Sequence, residues 1–187
     1  MIMEKAKIVY VSGFNKDKIG KKVNSEYDGG VLSVNYKALD DAAIYLSNLL
    51  SEQQIGLIIG LAGRGIIPAY ALAKKMNLPL QIAYKNRLKL ENEVVAQEEH
   101  SLNANIYFYI SEEHKNKKIL IVDDEITTGR TFMNIYQKLS QAGYDIWGFV
   151  AFICNGCEGK KLLKDNNINL LTAMNSEEDN KSWKGND

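Results

Sequence analysis

The chain has 187 residues, of which 45% are hydrophobic, so it is long enough for one α/β domain with a substantial core. Its 23 basic and 23 acidic side chains balance, which argues against nucleic-acid binding through a broad basic surface. The sequence shows neither an apolar run long enough to span a membrane nor the apolar stretch of a signal peptide, and its two cysteines exclude a disulfide framework, so we expect a cytoplasmic protein.

Hydrophobic periodicity predicts strands that alternate with helices along most of the chain. In chain order it predicts strand 7–11, helix 36–50, strand 55–59, helix 66–76, strands 78–84, 105–110 and 118–122, a helix with the apolar face 132–139, strand 146–154, helix 160–165 and strand 168–172. Residues 12–30 are polar and predicted as loops, and segment 85–101 is charged and without a clear apolar face. This alternation predicts a parallel sheet with helices on its faces and a ligand site at the carboxyl ends of its strands.

The segment ILIVDDEITTGRTF, residues 119–132, has the clearest functional pattern. An apolar strand leads to Asp123 and Asp124 at its carboxyl end, and a short loop then enters a helix. The helix N-terminus offers unpaired N–H groups, and Gly129 permits a close backbone approach, so the loop predicts a phosphate-binding cradle. Two carboxylates beside such a cradle are suited to sugar hydroxyls or to Mg²⁺. The pattern therefore indicates a phosphorylated sugar as the ligand.

The decapeptide VDDEITTGRT resembles the phosphoribosyl pyrophosphate (PRPP) signature of the type I phosphoribosyltransferases. The resemblance implies an α/β fold with a central, mostly parallel twisted sheet, flanking helices and a small hood. It implies a single domain over residues 1–187, with the core in 36–153 and hood or peripheral parts in 1–35 and 154–187. It also implies that Asp123 and Asp124 hold the ribose hydroxyls and Mg²⁺. The residues implied for the 5-phosphate are Thr127, Thr128, Gly129, Arg130 and Thr131.

Two further segments resemble parts of the same family. The loop LAGRG after strand 55–59 resembles its pyrophosphate loop, in which Gly63 and Gly65 would turn N–H groups toward a diphosphate and Arg64 would add a charge-assisted contact. Segment 85–101 stands where family members have a mobile loop that closes over the cleft and brings a cation to the pyrophosphate. The candidates for this cation are Lys85, Arg87 and Lys89.

The run EEHS, residues 98–101, resembles an E-E-P-H-S run in phosphoribosyltransferase-like proteins of tellurite-resistance gene clusters, although the proline is absent here. Glu125 after the two aspartates also resembles that group, and we expect it to contact the substrate. His100 is a candidate for binding the acceptor or for acid–base catalysis. Cys154 and Cys157 form a CxxC with neither a second ligand pair nor a thioredoxin-like helix start, so no zinc or redox role is predicted.

The resemblance implies an enzyme that transfers ribose 5-phosphate from PRPP to a nitrogenous base with Mg²⁺ and releases pyrophosphate. In 6-oxopurine members an Asp stands where this chain has Thr127, which disfavours hypoxanthine and guanine and leaves orotate-like, adenine-like and unusual acceptors open. Because the family commonly dimerises, we expect a homodimer, with no nucleic-acid or membrane partner. The alternative is a regulatory protein of the same fold that binds PRPP or a nucleotide without turnover.

Overall fold

The computed structural model describes residues 4–12, 21–99 and 104–176. The strands within these residues are β1 Ile8–Ser12, β2 Lys21–Ser25, β3 Ile55–Leu61, β4 Leu80–Ala83, β5 Val94–Gln97, β6 Asn105–Phe108, β7 Lys118–Ile126, β8 Ile146–Cys154 and β9 Asn169–Asn175. The helices are α1 Tyr36–Leu49, α2 Ile66–Met76, α3 Arg130–Gln141 and α4 Glu158–Asp165. No helix in this part of the chain is long and apolar enough to cross a membrane.

Five parallel strands form the central sheet in the order β4-β3-β7-β8-β9. The alternating side chains of β7 divide between two apolar clusters, because successive residues of a strand point to opposite faces. Leu120 and Val122 pack on the side of α1 and α2, whereas Ile119 and Ile121 pack on the side of α3 and α4. The predicted α/β fold, with a parallel sheet between two layers of helices, is therefore confirmed.

The helix boundaries follow from local chemistry. The Asn35 side chain caps α1 by accepting a hydrogen bond of 3.2 Å from the Ala38 N–H. Helix α2 ends at Asn77, which adopts the left-handed conformation that asparagine tolerates better than most residues. Helix α3 begins after Gly129, also with a positive φ, and its Phe132 stacks on Phe149 of β8 with ring centroids 4.4 Å apart. These features place the start of α3 against the sheet.

The chain segments assigned to the hood contribute more to the core than expected. Strand β9, which lies within residues 154–187, pairs with β8 in the central sheet, and its Met174 is buried in the core. Near the N-terminus, β1 and β2 form a separate antiparallel hairpin, while Tyr27 is fully buried and contacts Phe152 edge-on. Both differences arise because long-range burial decides where a short segment packs.

The charged segment 85–101 contains strand β5, which forms an antiparallel hairpin with β6. This hairpin packs against α3, with Ala96 and Phe108 buried in the same apolar cluster as Phe132. The sequence predicted no regular structure here, because only the short run at residues 94–96 is apolar. The hairpin brings residues 98 and 99 to the start of α3.

Candidate functional site

The acid pair Asp123 and Asp124 lies inside β7 rather than after it. The strand continues to Ile126 because its last residues stay paired with β8, where Asp123 faces Ala151 and Glu125 faces Ile153. This corrects the expectation that the strand ends at residue 122. The Asp124 N–H donates a hydrogen bond of 2.9 Å to Oδ1 of Asp123. The two carboxylates are therefore held on a strand at its carboxyl end.

Burial raises the pKa of Asp123 well above its ordinary value, and the nearby charge of Asp124 raises it further, while Lys85 acts weakly in the opposite direction. Burial also raises the pKa of Asp124, although the positive charge of Arg64 opposes this shift. Burial thus disfavours the ionised forms of two adjacent acids. Such a pair favours the approach of a cation or of hydroxyl donors.

The loop between β3 and α2 lies directly against this acid pair. A Cβ on Gly65 would come within 2.5 Å of Asp123 Oδ1 and 2.8 Å of the Leu61 carbonyl oxygen, so this contact requires glycine. Gly63 has a φ of +104°, and a Cβ built there would meet nothing within 4 Å, so its backbone faces open space. The two loops that the sequence placed at the same edge of the sheet therefore meet.

Arg64 lies between two acids from distant parts of the chain. Its Nη2 is 2.8 Å from Oδ2 of Asp28, and its Nε is 3.5 Å from Oδ2 of Asp124. Its Nη2 also donates to Oδ1 of Asn24 at 3.3 Å. Burial opposes the charge of Arg64, but its contacts with Asp28 and Asp124 raise the pKa of the guanidinium overall. The predicted pyrophosphate-binding arginine is thus held beside the acid pair.

Asp28 is a residue of this site that sequence reasoning missed. Its side chain is completely buried, and it accepts hydrogen bonds from the Ser25 hydroxyl at 3.1 Å and from the Gly30 N–H at 2.6 Å, in addition to its ion pair with Arg64. The only sequence signal was the turn-forming run DGG at residues 28–30. Asp28 joins the N-terminal segment to the glycine loop after β3.

The loop before α3 is supported from behind by α4. Gly129 has a φ of +76°, and a Cβ there would approach the backbone of Gly159 to 3.0 Å. The Gly159 N–H in turn donates to the Thr127 carbonyl oxygen at 2.8 Å. The close packing of two glycines fixes the shape of the loop. The residues predicted to bind the phosphate, 127–131, form this loop and the first turn of α3.

Glu99 contacts three residues of this loop. Its Oε2 accepts a hydrogen bond from the Thr128 hydroxyl, and its Oε1 lies 3.2 Å from Nη1 of Arg130. Its backbone N–H donates to Oγ1 of Thr131 at 3.2 Å. The sequence drew attention to residues 98–101 mainly because of His100, which lies outside the described residues. The role of Glu99 was not predicted.

The remaining predicted site residues occupy different surroundings. Lys85 pairs with Glu98 at 3.0 Å, and its charge reaches Asp123, whereas Arg87 pairs with Glu93 at 2.8 Å within the hairpin segment. Lys85 is therefore better placed than Arg87 to act at the acid pair.

Beyond the acid pair, Oε1 of Glu125 accepts from the Asn155 side chain at 2.9 Å, where β7 and β8 end. The nearby Cys154 is buried and Cys157 is exposed. In the part of the chain that the structure describes, no group of three or more His, Cys, Asp or Glu residues is arranged to hold a metal ion.

The fold and the meeting of these loops define the class of protein as one with a type I phosphoribosyltransferase fold. Residues 34–178 match the phosphoribosyl transferase domain family, and the chain belongs to this family. It is a phosphoribosyltransferase.

Named relatives agree with this family assignment. The chain is 31% identical over 136 residues to a hypoxanthine/guanine phosphoribosyltransferase of Methanotorris igneus, which covers 73% of each chain. It is 29% identical over 133 residues to the protein of the same name from Methanosarcina acetivorans, covering 71% of this chain and 69% of that one.

The fold is similar to that of adenine phosphoribosyltransferases. The Leishmania tarentolae structure has a TM-score of 0.71 at 12% identity, covering 91% of this chain and 84% of that one. The Trypanosoma brucei enzyme, in complex with AMP, pyrophosphate and ribose-5-phosphate, has a TM-score of 0.73 at 15% identity and covers 91% and 77%. At these identities the similarity shows the fold.

Proposed function

We propose that this protein transfers ribose 5-phosphate from PRPP to a nitrogenous base, with Mg²⁺, and releases pyrophosphate. The observation that supports this best is the contact between two loops at the carboxyl edge of the sheet. Gly65 packs against Asp123, and Arg64 lies beside Asp124. A diphosphate-binding glycine loop and a pair of sugar-binding carboxylates are thereby adjacent, as a sugar bearing a diphosphate at C1 requires.

Each end of the proposed substrate has its own group of residues. Asp123 and Asp124 face the ribose hydroxyls, with Glu125 next to them on the same strand. The backbone of Gly63, the Arg64 guanidinium and Gly65 hold the pyrophosphate, and Lys85 supplies a further positive charge in preference to Arg87. His100 remains a candidate for the acceptor side. The residues proposed for the 5-phosphate are Thr127, Thr128, Gly129, Arg130 and Thr131.

The acid pair fits a magnesium ion that arrives with its substrate. Mg²⁺ is commonly bound through one or two carboxylates together with substrate phosphates, rather than by a cage of protein ligands. Asp123 and Asp124 supply two such carboxylates. Burial raises the pKa of each, and the positive charge of a bound cation would favour their ionised forms. When bound, Mg²⁺ would neutralise charge on the phosphate oxygens.

The chemistry asks the protein for positioning rather than for a covalent nucleophile. Breaking the bond between C1 and pyrophosphate leaves positive charge on the sugar and negative charge on the leaving group. Asp123 and Asp124 would fix the sugar through its hydroxyls, while Arg64 and the N–H groups of the glycine loop would stabilise the departing diphosphate. The nitrogen of the acceptor then forms the new bond to C1.

Two observations bear on the identity of the acceptor base. The relatives named above carry the name hypoxanthine/guanine phosphoribosyltransferase, whereas Thr127 at the position of an expected Asp favours a different base. The names support testing 6-oxopurines first, and Thr127 supports including orotate and adenine in the same experiment. We also propose that the protein is cytoplasmic and that it forms a homodimer. Sedimentation equilibrium would test the dimer.

Pyrophosphate release tests the proposed function. Purified protein would be incubated with PRPP and Mg²⁺ against hypoxanthine, guanine, xanthine, adenine, orotate, uracil and nicotinate. We expect release that depends on one class of base and is abolished by EDTA. Saturable Mg²⁺-dependent binding of PRPP without release for any base would support the regulatory alternative instead. Absence of PRPP binding would contradict the assignment of both loops.

A further inference from the structure

The loop proposed for the 5-phosphate already contacts an anion that belongs to the protein. Both carboxylate oxygens of Glu99 are engaged there, one by the Thr128 hydroxyl and the other by the Arg130 guanidinium at 3.2 Å. A hydroxyl donor and an arginine are the contacts that a phosphate monoester would also use. The Glu99 side chain is only 18% exposed, so its charge sits within the loop rather than in bulk water.

The backbone holds Glu99 in this position independently of its charge. Its N–H donates to Oγ1 of Thr131 at 3.2 Å, and the Asn134 side chain donates to the Gln97 carbonyl oxygen at 3.1 Å. These two bonds tie the end of β5 to the first turns of α3. The carboxylate is therefore placed by the hairpin, and its removal need not displace the segment.

Glu98, the residue before Glu99, also pairs with a cation. Glu98 pairs with Lys85 at 3.0 Å, and the charge of Lys85 reaches Asp123. Glu98 and Glu99 thus form ion pairs with Lys85 and Arg130. The proposed function assigns both of these cations to phosphate groups. In this state the cations of the site are matched by internal carboxylates rather than available to a phosphorylated ligand.

We propose that Glu99 is an internal competitor of the 5-phosphate and sets the affinity of the protein for phosphorylated sugars. This rests on the proposed function, because it requires the 5-phosphate to bind at residues 127–131. A doubly charged phosphate bound at residues 127–131 would be repelled by the Glu99 carboxylate. The carboxylate must therefore leave before the phosphate is bound.

There is space beside the loop for that movement. An open cavity of about 350 Å³ adjoins Glu99 and Arg130 and is lined in addition by Gln97, Met133, Asn134 and Leu162. A rotation of the Glu99 side chain into this cavity would release the Thr128 hydroxyl. Binding of the 5-phosphate therefore requires that the Glu99 carboxylate leave the loop.

Isothermal titration calorimetry with PRPP and, separately, with inorganic phosphate tests the proposal in the full chain with Mg²⁺. Glu99→Gln keeps the size of the side chain and an acceptor for the Thr128 hydroxyl but removes the charge. We expect its Kd for PRPP to fall about tenfold, equivalent to about 1.4 kcal/mol, and its Kd for phosphate to fall as well. The KM for PRPP should fall with the Kd. Glu99→Ala should shift both constants in the same direction.

The matched control is Glu112→Gln, which removes a surface carboxylate that also pairs with a cation, Lys115, at 3.7 Å. Its PRPP affinity should equal that of the wild type. If wild type and Glu99→Gln bind PRPP with equal affinity, the competitor role is wrong while the proposed function stands. If neither protein binds PRPP, the proposed function fails and the role of Glu99 fails with it. A weaker affinity in Glu99→Gln would show that Glu99 assists binding, which also contradicts the proposal.

Discussion

Asp124 is the residue on which two features of the site converge. Its side chain is 12% exposed, it follows Asp123 on β7, and its Oδ2 lies 3.5 Å from Nε of Arg64 in the glycine loop. A carboxylate in this position is suited to hold a sugar hydroxyl and to keep Arg64 aligned at the same time. Its role is therefore testable by a change that keeps its shape.

Asp124→Asn should lower kcat/KM for PRPP by about 100-fold, because an amide cannot replace the charge beside Arg64 and the proposed Mg²⁺. The measurement is the steady-state rate of pyrophosphate release. Asp165→Asn at the exposed end of α4 is the control and should leave the rate unchanged. A wild-type rate in Asp124→Asn, with the fold intact by circular dichroism, would refute the ribose assignment.

Asp123 makes the stability of the ligand-free protein depend on pH. Its pKa is raised in the folded state, so the folded protein binds this proton more tightly than the unfolded chain. Stability attributable to Asp123 is therefore greatest below the ordinary value of 3.8 and falls as the pH rises from there toward the folded pKa. Asp124 acts in the same direction, because burial raises its pKa too.

Asp123→Asn should consequently stabilise the ligand-free protein at pH 7. The gain should shrink as the pH is lowered toward 3.8, because the wild-type carboxyl is then protonated. Urea unfolding of both proteins at several pH values measures this difference. A gain that is the same at every pH, or a loss at pH 7, would contradict the raised pKa.

At the scale of single residues, local motifs in the sequence predicted candidates that the fold brings close together. The residues Asp123, Asp124, Gly65 and Gly129 were predicted because a strand, an acid pair and a glycine-containing turn are adjacent in sequence. Asp28 and Glu99 were not found as contacts, because they meet Arg64 and Thr128 across 36 and 29 residues. No spacing rule within one element reports a contact of that kind.

Among the elements, α4 shapes the loop at the start of α3 although it contributes no predicted ligand contact. A Cβ on Gly159 would come within 2.5 Å of the Thr127 carbonyl oxygen, and a Cβ on Gly129 would press on Gly159 from the other side. The shape of the loop therefore depends on its packing against α4 as well as on its own residues.

Gly129→Ala should destabilise the protein by about 2–4 kcal/mol, because it combines a positive φ with a backbone contact at 3.0 Å. Gly143→Ala is the matched control, since Gly143 has a φ of +87° and open space around it, and should cost only about 1 kcal/mol. Chemical denaturation measures both changes. Equal costs would show that the contact between Gly129 and Gly159 contributes nothing.

The segment at residues 24–30 is tied to the glycine loop by the buried ion pair of Asp28 and Arg64. Asp28→Asn should destabilise the protein by about 1–3 kcal/mol and raise the KM for PRPP, because Arg64 loses its charged partner. Asp40→Asn, which removes an exposed partner of Lys75, should change neither quantity. A double-mutant cycle with Arg64→Gln would give additive effects if Asp28 acts independently of Arg64.

The elements show where pattern reasoning succeeds and where packing overrides it. Strand β8 and helix α2 were predicted to the residue, and β3 was predicted two residues too short, because apolar runs and helical spacing mark most of each element. Strand β7 was predicted too short, since pairing with β8 holds polar residues such as Glu125 in the sheet. Hairpin β5–β6 was missed because its apolar face is completed only by packing against α3.

For the whole molecule, the site joins three segments that lie far apart in sequence, at residues 24–30, 61–65 and 123–131. A ligand that contacts all three binds the folded protein and not the unfolded chain. Its binding free energy therefore adds to the stability of the entire domain.

PRPP with Mg²⁺ at about 100 times its Kd should stabilise the protein by about 2.7 kcal/mol and raise the unfolding midpoint by roughly 5–11 °C. Differential scanning calorimetry measures this shift. Asp124→Asn should show a smaller shift at the same PRPP concentration. An unchanged wild-type midpoint at saturating PRPP would mean that the three segments do not form one binding site.

The placement of the acid pair within β7 has a consequence for the rate of the reaction. Groups mounted on a flexible loop must be reoriented each time a substrate arrives, and that reorganisation adds to the activation barrier. Asp123 and Asp124 stand on a strand bonded to β8 on both sides of their positions. Under the proposed function, their carboxylates are therefore held in place before the substrate binds, and the cost of orienting them would be met during folding rather than during each turnover.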